Sequence, residues 1–108
     1  MSVVHQPSFE LSVRPDQGRV FVELSGELDC ATAPRMSEAL AELRAAGWSD
    51  IVMNVDAVTF VDSTGLHALY TAVRGAEQGA WRLVIGGCCP SLDRLAELTG
   101  LAGKLPRS

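Results

Sequence analysis

The stretch IVMNVDAVTFVDSTGLHALYTAV, residues 51–73, contains two different periodicities. Its first part, Ile51 to Val55, is a nearly continuous apolar run, the pattern of a strand covered on both faces. Such a strand belongs in the centre of a sheet. From Leu66 onward, the apolar residues Leu66, Leu69, Tyr70 and Val73 recur at the spacings of three, one and three expected of a helix's buried stripe. Between these runs, Asp56 to Val61 reads as a connection and Asp62-Ser63-Thr64-Gly65-Leu66 as a strand-to-helix turn. A central strand that feeds a helix points to the α/β class.

The flanking sequence extends this pattern in both directions. Phe9, Leu11 and Val13 alternate with polar residues, Pro15-Asp16-Gln17-Gly18 breaks the run, and Val20, Val22 and Leu24 resume it. That is the signature of an antiparallel hairpin. Gly26 to Ala31 reads as a loop, and Thr32 is placed to cap a helix that tolerates Pro34 in its first turn. Met36, Leu40 and Leu43 fall on one face of that helix, and Gly47 suits its exit. On the other side, Gly79 ends the central helix, and Trp81, Leu83, Val84 and Ile85 form a further strand closed by Gly86-Gly87. Pro90-Ser91 then opens a last helix with Leu92, Leu95 and Leu98 inward and Gly100 as its C-cap. The order implies one α/β domain over residues 1–108 with its core at about 8–100. Its architecture is a mixed four- to five-stranded sheet with helices packed against it. Least order is expected at Asp16 to Gly18 and in the tail, 101–108.

With 108 residues, 47% hydrophobic and 20% charged, the chain has the balance of a single domain that buries a core. Nine basic residues against thirteen acidic ones leave a net charge of −4 with no Lys/Arg cluster, which argues against nucleic acid as a partner. No basic region leads into an apolar stretch at the start, and no segment has the apolar length that spans a bilayer. The expectation is a cytoplasmic protein without membrane insertion. Cys30, Cys88 and Cys89 are an odd set with an adjacent pair, so reduced, buried or half-buried thiols are expected. His5 and His67 lie far apart and no C-x-x-C occurs, so no metal site is expected.

Chemistry concentrates at Ser63. The serine stands where a helix N-cap belongs, and Gly65 is expected to leave its surroundings free of side chain, so that a partner can approach the hydroxyl. A phosphate placed there would sit at the positive end of a helix, worth roughly 0.3 to 1 kcal/mol in favour of the modified state. At an interface complementary to the neutral turn, the same dianion would cost on the order of several kcal/mol. The interface effect is the larger. A phosphate on Ser63 should therefore switch association while leaving the fold intact.

Gly26-Glu27-Leu28-Asp29 with Thr32-Ala33-Pro34, followed by Phe60-Val61-Asp62-Ser63-Thr64-Gly65-Leu66, resembles the bacterial anti-sigma-factor antagonists of the STAS-domain family. The likeness runs from the first hairpin to Gly100. It implies a non-enzymatic regulator whose Ser63 is phosphorylated by a partner that is both an anti-sigma factor and a serine kinase. The unphosphorylated form binds that partner and frees the sigma factor, and a serine phosphatase restores it. The resemblance also places Asp29 beside Ser63 on the partner-binding face with Asp62, Thr64, Gly65 and Leu66, and implies no cofactor. From the residues alone, Asp29 reads equally as an acid capping its own pre-helix turn. Family members usually add a short strand after the last helix, whereas residues 101–108 offer little strand pattern. An uncovered edge there would favour self-association, so a monomer or weak homodimer is expected.

Other readings compete with this one. An unswitched STAS module, serving as a scaffold in a stressosome-like assembly or as a soluble subunit of a membrane lipid transporter, would share the fold without needing the phosphate. A hydrolase built on Ser63 with His67 as base is disfavoured because Val61 stands where a nucleophile elbow, G-x-S-x-G, needs glycine. Gly86-Gly87 lacks the Lys-Ser/Thr of a phosphate-binding loop and is expected to make a turn and a close strand contact. Trp48 and Trp81 flank strands and are expected to pack at the edge of the core.

Overall fold

Alternation of apolar and polar residues produces the hairpin. A computed structural model of the chain describes residues 9–108, in which β1 (Phe9–Asp16) pairs antiparallel with β2 (Arg19–Leu28). His5 and the expected start of the core at residue 8 lie outside the described residues. Gln17 (φ 50°) and Gly18 (φ 84°) form the connection, both in the left-handed region that a tight hairpin turn requires. The strands run fully into this turn, and Pro15 is tolerated because β1 is an edge strand.

The sheet has four strands in the order β1-β2-β3-β4, with β3 (Asp50–Val61) parallel to both β2 and β4 (Arg82–Gly86). α1 (Ala33–Ala45) connects β2 to β3, α2 (Ser63–Gly79) connects β3 to β4, and α3 (Pro90–Thr99) follows. The architecture is the mixed sheet with packed helices that the periodicities imply. Ile51, Met53 and Val55 are buried, and so is Val52 at 5% exposure on the alternate face, as a central strand demands.

Two strands are longer than their patterns suggest. β3 continues through Asp56 to Val61, the expected connection, and β2 runs on to Leu28 through the expected loop. The pairing shifts register between Glu23 and Ser25 and again between Gly26 and Glu27, and Gly26 takes φ 91°. These bulges interrupt the period of two, so Val55, Val58 and Val61 are buried at a spacing of three within a strand.

The helices follow their stripes with two departures. α1 buries Met36 and Leu40 and closes with Gly47 (φ 97°), whose N–H bonds Arg44 O while the Trp48 N–H bonds Leu43 O. That is the paired carbonyl capture of a Schellman end. α2 buries Leu66, Leu69, Val73 and Ala76, but its left-handed cap is Ala80 (φ 56°) rather than Gly79. Gly79 is needed for another reason: a Cβ there would lie 2.8 Å from the Trp81 ring. In α3, Leu92 and Ala96 are buried, Leu95 is half-buried, and Leu98 is 77% exposed rather than inward. At about 100° per residue, Leu98 lies roughly 120° around the helix from Leu92, whereas Ala96 is only about 40° away.

Residues 101–108, the expected tail, pack back on the domain. Leu105 is buried, the Ile85 N–H donates to Pro106 O at 2.8 Å, and the Ser108 N–H donates to Ile85 O at 3.1 Å. Arg107 reaches Asp93 and the Gly87 carbonyl, each at 2.9 Å. A single parallel bridge, Ile85 to Arg107, thus stands at the outer edge of β4 where a further strand would run. Among the described residues no helix is long and apolar enough to cross a membrane, and no group of three His, Cys, Asp or Glu side chains could hold a metal ion.

Candidate functional site

β2 and β3 end side by side, with Leu28 paired to Val61, so the residues that follow, Asp29 and Asp62, emerge from adjacent strand ends. The Asp62 N–H donates to Leu28 O at 3.2 Å and ties the two exits together.

Each exit is held by its own aspartate. Asp29 Oδ1 accepts from the N–H groups of Ala31 (3.0 Å) and Thr32 (3.2 Å), and its backbone carbonyl accepts from Ala33 N–H at 2.8 Å. This is the self-capping turn that its sequence position allows. Thr32 stands at the N-cap of α1, but its hydroxyl does not bond the helix. It is buried, donates to Glu27 O at 2.7 Å and accepts from Asp29 N–H at 2.9 Å, so it locks the loop from below.

At the second exit the cap is Asp62. Its extended backbone and its Oδ1, which accepts from Gly65 N–H at 2.8 Å, satisfy the first turn of α2. Ser63 is therefore the first helical residue, one position beyond its expected place as N-cap. Ser63 and Thr64 are exposed, and neither hydroxyl makes a hydrogen bond among the described residues. As the first positions of a 17-residue helix, they also present backbone N–H groups with no intrahelical acceptor.

Gly65 and Leu66 lie beneath this surface. A Cβ on Gly65 would collide with the Leu28 carbonyl oxygen, so the glycine lets α2 rest on the end of β2 and does not clear an approach to Ser63. Leu66 is 2% exposed. Both lie beneath the turn, and neither presents a side chain at the surface. Of the six residues expected on the docking face, the surface thus carries Asp29, half-buried, and Asp62, Ser63 and Thr64.

The remaining candidates fall elsewhere. His67 is exposed on α2 and makes no hydrogen bond to Ser63. Gly87 (φ 83°) turns the chain against β3: a Cβ there would meet Asp56 Oδ1 at 2.6 Å, and Asp56 accepts from Cys88 N–H at 2.8 Å. The diglycine turn is held by a carboxylate, an arrangement that opposes a phosphate. All three cysteines are free thiols, and against expectation only Cys89 is buried, while Cys30 and Cys88 are exposed. Trp48 and Trp81 are half-buried at the core edge, with the Arg44 guanidinium 4.7 Å above the Trp81 ring.

Sequence reasoning did not find two exposed apolar residues beside the site, Phe60 at 48% and Leu98 at 77%. In the sequence Phe60 falls within the apparent connection Asp56 to Val61, and Leu98 reads as inward. The helical angle of Leu98 relative to Leu92 was the available signal.

The sequence profile described as the STAS domain matches residues 9–107. The chain is 38% identical over 80 residues, 74% of each chain, to an anti-sigma-B factor antagonist of Staphylococcus aureus (strain NCTC 8325 / PS 47). A crystal structure of an anti-sigma factor antagonist from Mycobacterium paratuberculosis superposes with a TM-score of 0.77 at 27% identity, covering 93% of this chain and 85% of that one. The anti-sigma factor antagonist SpoIIAA in its unphosphorylated form shares the fold with a TM-score of 0.72 at 22% identity, over 94% of this chain and 88% of that one.

Proposed function

The chain belongs to the STAS-domain family, and on that premise we propose that it is an anti-sigma-factor antagonist switched by phosphorylation of Ser63. In its unphosphorylated form it binds an anti-sigma factor that is also a serine kinase, and the sigma factor is released. The kinase transfers the γ-phosphoryl group of ATP to Ser63 Oγ, leaving ADP and a proton, and the modified antagonist dissociates. A serine phosphatase removes the phosphate. The chain itself is non-catalytic and acts in the cytoplasm, with Asp29, Asp62, Ser63 and Thr64 on the docking face and Gly65 and Leu66 supporting it. The names of the S. aureus and M. paratuberculosis relatives support the antagonist role.

One observation carries the switch: the Ser63 hydroxyl is exposed and makes no hydrogen bond among the described residues, while Asp62 supplies the cap. A phosphate on Ser63 breaks no internal bond. It would lie at the open N–H groups of α2, worth roughly 0.3–1 kcal/mol, which leaves the domain folded. Held against a partner, the same dianion beside Asp62 and Asp29 must be desolvated or repelled, a cost on the order of several kcal/mol. At about 1.4 kcal/mol per tenfold in affinity, that is enough to release the complex.

The test is incubation with purified candidate anti-sigma kinases and ATP, followed by mapping of phosphate by mass spectrometry. One phosphate on Ser63 and none on Ser63→Ala is the expected result. Modification that persists in Ser63→Ala would remove the site assignment.

A further inference from the structure

Beside the Ser63 turn, the last part of β3 and the start of α3 enclose a groove of about 550 Å³, lined by Phe60, Pro90, Leu95 and Leu98 with Arg94 among them. Its walls are fixed to one another. The Val61 N–H donates to Ser91 Oγ at 3.0 Å, and Cys89 Sγ lies 3.4 Å from the Val58 carbonyl as its donor. The groove is therefore preformed. Phe60 and Leu98 are the two most exposed large hydrophobic side chains among the described residues, and both flank this one site. Arg94 is exposed and makes no ion pair among the described residues.

We propose that this groove is the second half of the docking surface and receives a bulky apolar side chain of the anti-sigma partner, flanked by a carboxylate that pairs with Arg94. This rests on the reading of the Ser63 turn as the partner's target. Phe60 precedes Ser63 by three residues, so the two lie within about 10 Å along the chain. A protein interface of ordinary size covers about 800 Å² per partner, a patch of roughly 16 Å radius. A partner centred on Ser63 therefore reaches the groove. Arg94, exposed and without an ion pair among the described residues, suits a carboxylate on that partner.

The groove and the serine divide the work. The apolar contact holds both phosphorylation states alike, and the charge on Ser63 decides between them. The probe is the purified anti-sigma kinase that modifies Ser63 in the wild-type chain. Leu98→Glu should raise its Kd by about tenfold or more. Arg94→Glu should raise Kd by about tenfold and flatten its salt dependence. In the phosphorylation assay both should raise KM with kcat at saturation unchanged, because they remove binding shared by ground and transition states. Both side chains are exposed, so melting temperatures should stay near that of the wild type.

Wild-type binding that Leu98→Glu and Arg94→Glu leave intact would overturn the groove assignment alone. A wild-type chain that no kinase binds or modifies would overturn the reading of Ser63 and this inference with it. Sedimentation in which Leu98→Glu abolishes a dimer while kinase affinity holds would assign the groove to a second copy and overturn the proposal.

Discussion

Gly65 carries a structural duty that Ser63 does not. Its missing side chain is what allows α2 to approach Leu28, and backbone on the far side cannot retreat. Gly65→Ala should gain up to about 1 kcal/mol of helix propensity and lose about 1–3 kcal/mol to overpacking. A net drop in stability by urea unfolding is the expected outcome, with exposed Thr64→Ala close to neutral. A more stable Gly65→Ala with slower phosphorylation would restore the glycine to a role in access. The sequence made the turn visible but not its internal assignment. Asp and Ser rank almost equally as caps, and only the Asp62 N–H bond to Leu28 O, a contact from another strand, decides which residue serves. Asp29 shows the same limit: its self-capping bonds were legible locally, whereas its place next to the Asp62 exit depends on the pairing of Leu28 with Val61.

Elements were legible where one periodicity ran undisturbed. The hairpin, the three helices and the sheet-centre run at Ile51 all follow from spacing. The far end of β3 did not, because two register shifts against β2, each with an extra residue on β3, break the alternation, and this is also how Phe60 reaches the surface. The end of α2 is a local exception of another kind. Ala80 holds φ 56°, a conformation that costs an L-residue about 1–2 kcal/mol, and glycine relieves it at the expense of about 0.4–1 kcal/mol of unfolded-chain entropy. Ala80→Gly should therefore raise stability by up to about 1 kcal/mol, read as a higher urea midpoint with unchanged slope. A lower midpoint would mean that the Schellman end at Trp81 is not limited by this strain.

For the molecule as a whole, the parallel strands carry their chemistry to one end. β2 and β3 release the two aspartates and Ser63 there, α3 adds the apolar groove, and Leu105 to Ser108 close the outer edge at Ile85. That edge contact comes from a segment without strand pattern, because it rests on one bridge and on Arg107 bonding Asp93 and Gly87 O. The fold leaves the Ser63 hydroxyl without a hydrogen bond among the described residues, so on the proposed reading a charge there should act on a partner and not on the domain. The direct test is a paired measurement on the unmodified and Ser63-phosphorylated chain: Kd for the anti-sigma kinase and melting temperature. A rise in Kd of about a hundredfold or more, matching several kcal/mol, with the melting temperature nearly unchanged is the predicted result. Equal Kd values, or a fall in melting temperature large enough to account for the lost binding, would contradict it.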